Sequence, residues 1–268
     1  MNQTAQSWWF IFYKDQLLLE KKEDGIYAIP CGESSPIVIK EKTTVHNITT
    51  LEGRNCKAFS LSSPIEESEQ WIMIGLRASY EYLPLSHYQT AGKAHEILHW
   101  DRNSRFCSAC GTPMEQKESI MKRCPKCGRE VYPSISTAIL VLVRKKDSLL
   151  LVHARNFKGT FNSLVAGFLE TGETLEECVA REVKEETGMK VKKAEYLFSL
   201  PNIYVYSGFP VHTLDLFFRC TVADTLHYKA MDDAADLFFI PLKEIRTEDF
   251  GLGSIRKGLG IFLKEMGE

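Results

Sequence analysis

Two sets of side chains in this sequence have the types and spacing that do chemistry. The first is four cysteines in two pairs, Cys107 with Cys110 in "CSAC" and Cys124 with Cys127 in "CPKC". A two-residue gap lets one turn aim both thiolates at a single ion, and thirteen residues separate the pairs. Four thiolates around Zn²⁺ close a tetrahedron with no open position, so such a site is structural. Gly111 and Gly128, each directly after a pair, suit the tight backbone of such knuckles. Two disulfides, or four unrelated thiols, are the competing reading of the quartet. A ribbon of this kind either binds nucleic acid or staples a segment with too little core to fold alone, and the near-neutral chain favours the staple.

The second set lies between Gly167 and Met189, where seven acidic side chains fall within twenty-three residues. On a helix, Glu182, Glu185 and Glu186 stand at i, i+3 and i+4 and emerge on one face. Like charges placed so closely repel unless cations sit between them. Hard oxygen donors in that array suit Mg²⁺ or Mn²⁺, which keep water and share phosphate oxygens of a substrate. The same "REVKEE" run also reads as a solvated face with local lysine and arginine pairs.

The elements that must position these residues follow from hydrophobic pattern and turn chemistry. "SHYQTAGKAHEILHWDRN" predicts a helix leading into the cysteine segment, and "STAILVLVRKKDSLLLVHA" a buried hairpin around "KKDS". The carboxylate helix is expected from about Thr174 to Thr187 with Gly188 as its stop. Further strands are expected in "AEYLFSL", "TLDLFFRCTV" and "LFFIPL". A closing helix in "GSIRKGLGIFLKEMG" places Ile255, Leu259, Phe262, Leu263 and Met266 on one face. The N-terminal "WFIFYKDQLLLEKKEDGIYAIPCGE" repeats the order of "ILVLVRKKDSLLLVHARNFKGTFNSLVAGFLE": Asp15 and Leu17 to Leu19 match Asp147 and Leu149 to Leu151. Either two hairpins look alike, or the fold is duplicated and only the second copy kept its carboxylates.

The chain of 268 residues is long enough for about two units. With 44% hydrophobic and 25% charged residues it has the balance of a soluble globular protein, and no apolar run reaches the length of a membrane span. The start lacks a basic n-region and cleavage site, so a cytoplasmic location is expected. Cys31, Cys56, Cys178 and Cys220 are scattered singly and expected to be reduced. A net charge of −2 argues against loose, charge-driven nucleic-acid binding.

The carboxylate segment fits the Nudix box, Gly-x5-Glu-x7-Arg-Glu-U-x-Glu-Glu-x-Gly-U with U aliphatic. The matching residues are Gly167, Glu173, Arg181, Glu182, Val183, Glu185, Glu186, Gly188 and Met189. The sequence therefore resembles the Nudix hydrolases. With its weak N-terminal domain, "AGKAHEILHWDRNSRFCSACG" lead-in and four-cysteine ribbon, it resembles in particular their NADH pyrophosphatase branch. The resemblance implies an α/β fold: a Nudix α/β/α sandwich with a mixed sheet, preceded by a zinc ribbon and a degenerate Nudix-like N-terminal domain. The divisions expected are residues 1–95, 96–132 with the lead-in helix, and 133–268.

It further implies Mg²⁺ or Mn²⁺ at Glu182, Glu185 and Glu186, Zn²⁺ at the four cysteines, Glu173 and Arg181 as braces of loop and helix, and pairing of two chains as a homodimer. A further catalytic and metal-binding acid is expected before the penultimate strand. Register on "FIPLKEI" points to Asp236, ahead of Asp232 and Asp233. The reaction implied is hydrolysis of a nucleoside diphosphate linked to another group, foremost NAD(H) to NMN(H) and AMP. ADP-ribose, FAD or a nucleoside-diphosphate sugar are alternative substrates, and a non-catalytic ligand- or RNA-binding module is the alternative class. Action on NAD-capped RNA, with the zinc ribbon holding the strand, is a third alternative.

One departure bears on substrate. Where the branch carries Ser-Gln-Pro-Trp-Pro-Phe-Pro-x-Ser, this chain reads "SLPNIYVYS", which keeps Ser199, Pro201 and Ser207. Tyr204 and Tyr206 are candidates to stack on a base or nicotinamide, or they are alternate positions of a half-buried strand.

Overall fold

The computed structural model describes residues 6–154, 162–206, 209–232, 234–251 and 253–267. Contacts divide the chain into two compact units, 1–134 with 204–210 and 135–203 with 211–268.

The first unit opens with a hairpin, β1 (Ser7–Tyr13) and β2 (Gln16–Lys21), turned at Lys14 with φ 54°. Trp9, Phe10, Ile11 and Phe12 are all buried, as expected of a central strand covered on both faces. Next come β3 (Tyr27–Ala28), β4 (Cys31–Gly32), β5 (His46–Leu51), β6 (Arg54–Ser60) and β7 (Trp71–Gly75). The sheet runs β3-β2-β1-β6-β5, with β4 pairing β1 and β7 pairing β2. β1 and β6 are parallel, Trp8 opposite Cys56.

Helix α1 (Leu85–Asn103) follows and runs unbroken through residue 95. It buries His87, Thr90 and His95 beside Ala91, Ala94 and Leu98. His95 is accommodated by an Nε2 contact of 3.1 Å to the Lys14 carbonyl, and burial pushes its pKa down to about 4, which keeps it neutral. A three-stranded ribbon, β8 (Glu115–Glu118), β9 (Met121–Arg123) and β10 (Glu130–Val131), closes this unit. It is fixed to α1 by Lys122, whose buried ammonium lies 2.6 Å from Asp101 Oδ1 and 5.2 Å from the Trp100 ring centre.

The second unit has β11 (Ser136–Lys145), β12 (Ser148–Ala154), β13 (Val165–Phe168), α2 (Leu175–Thr187), β14 (Val191–Tyr206) and β15 (Phe209–Val222) apart from their residues 204–210, β16 (Ala234–Pro241) and α3 (Ser254–Met266). Its sheet is mixed: β14-β15-β11-β12-β16, with β13 antiparallel and β15 parallel to β11. On one face Val141, Val143 and Phe218 pack with Cys178, Val179 and Val183 of α2. On the other, Leu140, Leu142 and Phe217 pack with Leu259, Phe262 and Leu263 of α3.

The α/β/α sandwich is thus one mixed sheet between two amphipathic helices. α3 lies so close that a Cβ on Gly258 would sit 2.3 Å from the Phe217 ring, so only glycine fits there. The expected apolar face of α3 holds for Leu259, Phe262 and Leu263. Met266 is instead 37% exposed in the final turn, where the Arg144 guanidinium donates to its sulfur at 3.6 Å.

Candidate functional site

The carboxylate helix begins at a capping box. The Thr174 hydroxyl accepts from Glu177 N at 3.2 Å and Glu177 Oε2 accepts from Thr174 N at 2.7 Å. Such a cap contributes about 1 kcal/mol. The helix stops at Gly188, left-handed at φ 72°, whose N–H donates to Lys184 O at 2.9 Å. Burial of Val179 and Val183 anchors the apolar side, each contributing about 1.5–3 kcal/mol.

With those termini, Glu185 and Glu186 fall in the last turn, at the negative end of the helix dipole. The position is unfavourable for an anion. Arg181 offsets part of it. Its Nε and Nη2 form a fork on Glu173 at 3.0 and 2.6 Å, and Nη1 donates to Glu182 Oε1 at 2.7 Å and Glu185 Oε2 at 3.2 Å. Nη2 also donates to the Phe168 carbonyl at 2.9 Å, which ties the helix to the end of β13. The Arg181 fork holds Glu173 down to about 2, helped by the Glu170 N–H.

The glutamates differ in surroundings. Glu182 is pressed against Gly167: a Cβ there would lie 1.8 Å from Glu182 Oε1, which explains why glycine stands at this point of β13. Burial raises the Glu182 pKa, and Arg181 opposes the rise. Glu186 is 6% exposed and accepts from Ala166 N at 3.3 Å, whereas the Glu185 side chain is 47% exposed. The three share a helix face, but their oxygens are not all within 4.8 Å of one another; among the described residues only the four cysteines meet that condition. As donors the carboxylates fit a hydrated divalent ion, since Mg²⁺ keeps several waters and needs only one or two carboxylates directly.

Beyond α2 the chain returns along its C-terminal end, Lys229 N to Thr187 O at 3.1 Å and Met231 N to Glu186 O at 3.0 Å. Asp232, exposed with φ 49°, follows; Asp233 lies outside the described residues. Asp236 is exposed in β16 opposite His153. Leu237 and Phe239 pack on the α2 side and Phe238 on the α3 side, so strand alternation puts Asp236 on the α3 side. Ser199 is half-buried in β14. The backbones of Tyr204 and Tyr206 belong to that strand, while their side chains, and Ser207, lie outside the described residues.

The cysteine quartet closes as its spacing predicts. Sulfur separations are 3.5 Å for Cys110–Cys124, 3.6 Å for Cys107–Cys127 and 3.7 Å for Cys110–Cys127. A tetrahedral ion with Zn–S of about 2.3 Å needs edges of about 3.8 Å. Both knuckles repeat one pattern: Cys107 N to Thr112 O and Cys124 N to Arg129 O, each 2.8 Å, with Gly111 and Gly128 at φ 72° and 76°. The Thr112 hydroxyl and N–H hold the Cys110 thiol down to about 6, while the neighbouring thiols push Cys127 up to about 11, as expected of sulfurs crowded into one site. Cys31, Cys56, Cys178 and Cys220 form no disulfide.

Two features escape sequence reasoning. Phe168, next to Gly167, is 44% exposed at the end of β13, and its carbonyl, not its ring, is what Arg181 binds. Asp215, buried in β15, accepts from Thr213 Oγ1 at 2.6 Å, Asn202 Nδ2 at 2.9 Å and the Ser254 hydroxyl at the start of α3. Burial raises its pKa, so these donors are what keep a carboxylate tolerable there. Its only signal is an acid inside the apolar run "TLDLFF".

Comparison with known proteins gives three family models in tandem. An NADH pyrophosphatase-like rudimentary NUDIX domain matches residues 6–100, an NADH pyrophosphatase zinc ribbon domain 102–132 and a NUDIX domain 133–257. The NAD-capped RNA hydrolase NudC of Chromobacterium violaceum is 40% identical over 134 residues, 50% of this chain and 50% of that protein. The NAD-capped RNA hydrolase NudC of Klebsiella pneumoniae strain 342 is 31% identical over 197 residues, 73% of this chain and 72% of that one. The chain thus spans about half the length of the Chromobacterium relative it matches. A solved Nudix hydrolase from Nitrosomonas europaea, 23% identical, covers 60% of this chain and 91% of its own with a TM-score of 0.47.

Proposed function

Because the chain belongs to the Nudix hydrolase family, with the zinc ribbon and rudimentary N-terminal domain of the NADH pyrophosphatases, we propose that it hydrolyses the pyrophosphate bond of a nucleoside diphosphate joined to another group. NAD(H), giving NMN(H) and AMP, is the foremost substrate. The observation that carries the reading is Glu182 seated against Gly167, with Arg181 spanning Glu173, Glu182 and Glu185. A non-catalytic module would have no use for three clustered carboxylates, two of them held at the wrong end of a helix dipole.

Glu182, Glu185 and Glu186 would hold Mg²⁺ or Mn²⁺, and Cys107, Cys110, Cys124 and Cys127 Zn²⁺. When bound, the catalytic cation supplies neutralisation of the diphosphate and activation of water. The residues do the rest. Arg181 and Glu173 fix the helix to the loop, so that the glutamates are set before substrate arrives. Glu185, the most open of the three, takes the proton as water adds to phosphorus and the bridging P–O bond breaks. Asp236, the other acid the sequence offers for this step, stands on the α3 side of its strand, away from α2. Tyr204 and Tyr206 are proposed to flank the rings of a dinucleotide, with Ser199 on the same strand.

The names of the relatives favour a second substrate, NAD-capped RNA, cut at the same bond. ADP-ribose, FAD and nucleoside-diphosphate sugars share the linkage and are the alternatives. The three-part division at residues 95 and 132, a homodimer and a cytoplasmic location complete the proposal; among the described residues no helix is long and apolar enough to cross a membrane. Purified protein with Mg²⁺ or Mn²⁺ is screened against NADH, NAD⁺, ADP-ribose, FAD, a nucleotide sugar and NAD-capped RNA, with products identified by mass. NMN(H) and AMP are expected. No cleavage of any substrate with either metal would remove the reading.

A further inference from the structure

The N-terminal unit contains a cavity of about 470 Å³ that the proposed hydrolysis does not use. That size lies within the roughly 300–1,000 Å³ of small-molecule sites. Its apolar lining is Ile37, Val38, Phe59, Leu61, Ile65 and Leu98. Four cationic side chains join it, Lys40 and Lys42 from one wall and Arg102 and Arg105 from the end of α1 and just beyond, against one carboxylate, Asp101. Serine and threonine hydroxyls fill the space between.

The cavity is built, not merely charged. Lys40 Nζ donates to Ser62 Oγ at 2.8 Å and so joins two segments of the wall. His46, 7% exposed, lines the cavity with Nε2 3.3 Å from Asp101 Oδ2, while Asp101 Oδ1 is held by Lys122 at 2.6 Å. Asp101 is therefore fixed and ionised, and each of its oxygens has a second lone pair to offer a ligand hydroxyl.

The origin of the wall matters. Residues 33–45 join β4 to β5 as α2 and its flanks join β13 to β14. Through Ile37, Ile39 and Val45 they cover Trp9, Ile11, Leu18 and Phe59, the counterparts of a sheet face that α2 covers in the other unit. Where α2 carries glutamates, this segment carries Lys40 and Lys42 on either side of Glu41, and of these three only the lysines line the cavity. A cationic wall binds phosphate directly and needs no metal.

We propose that this cavity binds a phosphorylated nucleoside, its ring and sugar on the apolar lining and Asp101, its phosphate between the lysines of residues 40–42 and the arginines of residues 102–105. The source is a free nucleotide or the first residue of a 5′-phosphorylated strand, which offer the same chemistry.

The test uses the full zinc-loaded chain carrying Glu182→Gln, so that no turnover intervenes. Hydrogen exchange is followed with AMP, with inorganic phosphate and with a short 5′-phosphorylated RNA. AMP should protect 37–44 and 98–105 and phosphate alone should not. Lys42→Glu with Arg102→Glu should weaken that protection at least tenfold in AMP concentration, while circular dichroism and zinc content stay unchanged. The same pair in the otherwise unaltered chain should leave NADH turnover as it was. Tighter protection by RNA, lost more steeply with salt, assigns the strand as the source; equal protection assigns the free nucleotide. No protection of these segments by AMP or RNA, protection by phosphate as strong as by AMP, or protection indifferent to the charge reversal overturns the proposal.

Discussion

The sheets of the two units are built to one plan and covered differently. In each, a tight hairpin turns at a lysine with positive φ, Lys14 at 54° and Lys146 at 53°. The first strand of each hairpin has a parallel neighbour, β6 or β15, and a short antiparallel partner, β4 or β13. The second strand of each pairs antiparallel with β7 or β16. Even the glycine is kept. Gly32 lies opposite Ser7 as Gly167 lies opposite Ile139, the same step of each ladder.

What differs is the neighbour of that glycine. A Cβ on Gly167 would meet Glu182 at 1.8 Å, whereas one on Gly32 would come no closer than 3.2 Å, to Ser34 O. The sheet needs only an apolar cover on this face, and α2 or an irregular segment serves equally. The close glycine is demanded by the carboxylate, not by the fold.

That contrast is most exposed to failure in the paired variants Gly167→Ala and Gly32→Ala. Displacing Glu182 should lower turnover about 100-fold or more and destabilise by about 1–3 kcal/mol. Gly32→Ala should leave turnover unchanged and shift stability by less than about 1 kcal/mol. Thermal melts and kcat/KM of both decide it. Equal losses would mean that the glycine serves the sheet in both units.

Next in size is Glu182→Gln, which keeps volume and removes charge. Turnover should fall about 100-fold or more through lost metal affinity, with the melting temperature unchanged or raised, because burial already disfavours the Glu182 carboxylate. Full activity at saturating Mg²⁺ would remove Glu182 from the site.

Much of this was legible in the sequence because it is local. Thr174, Glu177 and Gly188 mark the ends of α2, the two Cys-x-x-Cys pairs mark the knuckles, and both hairpins show in their turn residues. What is not local was hidden. The parallel pairing of β11 with β15 joins residues about seventy-seven positions apart, as from Ser136 to Thr213, and no periodicity encodes that register. Nor does spacing tell that Glu186 is buried while its neighbour Glu185 stays open. α1 was legible as a helix, but its buried histidines and threonine make its inner face hard to read from hydrophobicity.

A smaller effect separates the units in acid. The folded pKa of Glu173 lies near 2, below its ordinary value of 4.5, because Arg181 pairs with the ionised form. A depressed carboxylate adds stability that is present above about pH 4.5 and is lost as pH falls toward 2. Glu173→Gln should therefore flatten the acid limb of the stability curve in that window and leave neutral stability lower. Asp101, held near 2 by His46 and Lys122 in the N-terminal unit, should remain as the other contribution. An acid limb unaltered by Glu173→Gln would show that Arg181 finds equal support from Glu182 and Glu185.

The smallest effect expected is at Asp236, and it sharpens where the catalytic face ends. The sequence register singles out Asp236 as the further acid, and its exposure is compatible with that role. Strand alternation argues otherwise: Leu237 and Phe239 turn to the α2 side, so Asp236 turns with Phe238 to the α3 side, opposite His153. The backbone bonded to the end of α2 is that of Lys229 and Met231, directly before Asp232. Asp236→Asn should accordingly change kcat/KM less than about threefold, with no shift in the Mg²⁺ concentration required, whereas Asp232→Asn should raise that concentration measurably. A loss of tenfold or more in Asp236→Asn, with Asp232→Asn silent, would place the proton acceptor on β16 and require substrate to reach around the sheet edge to the α3 side.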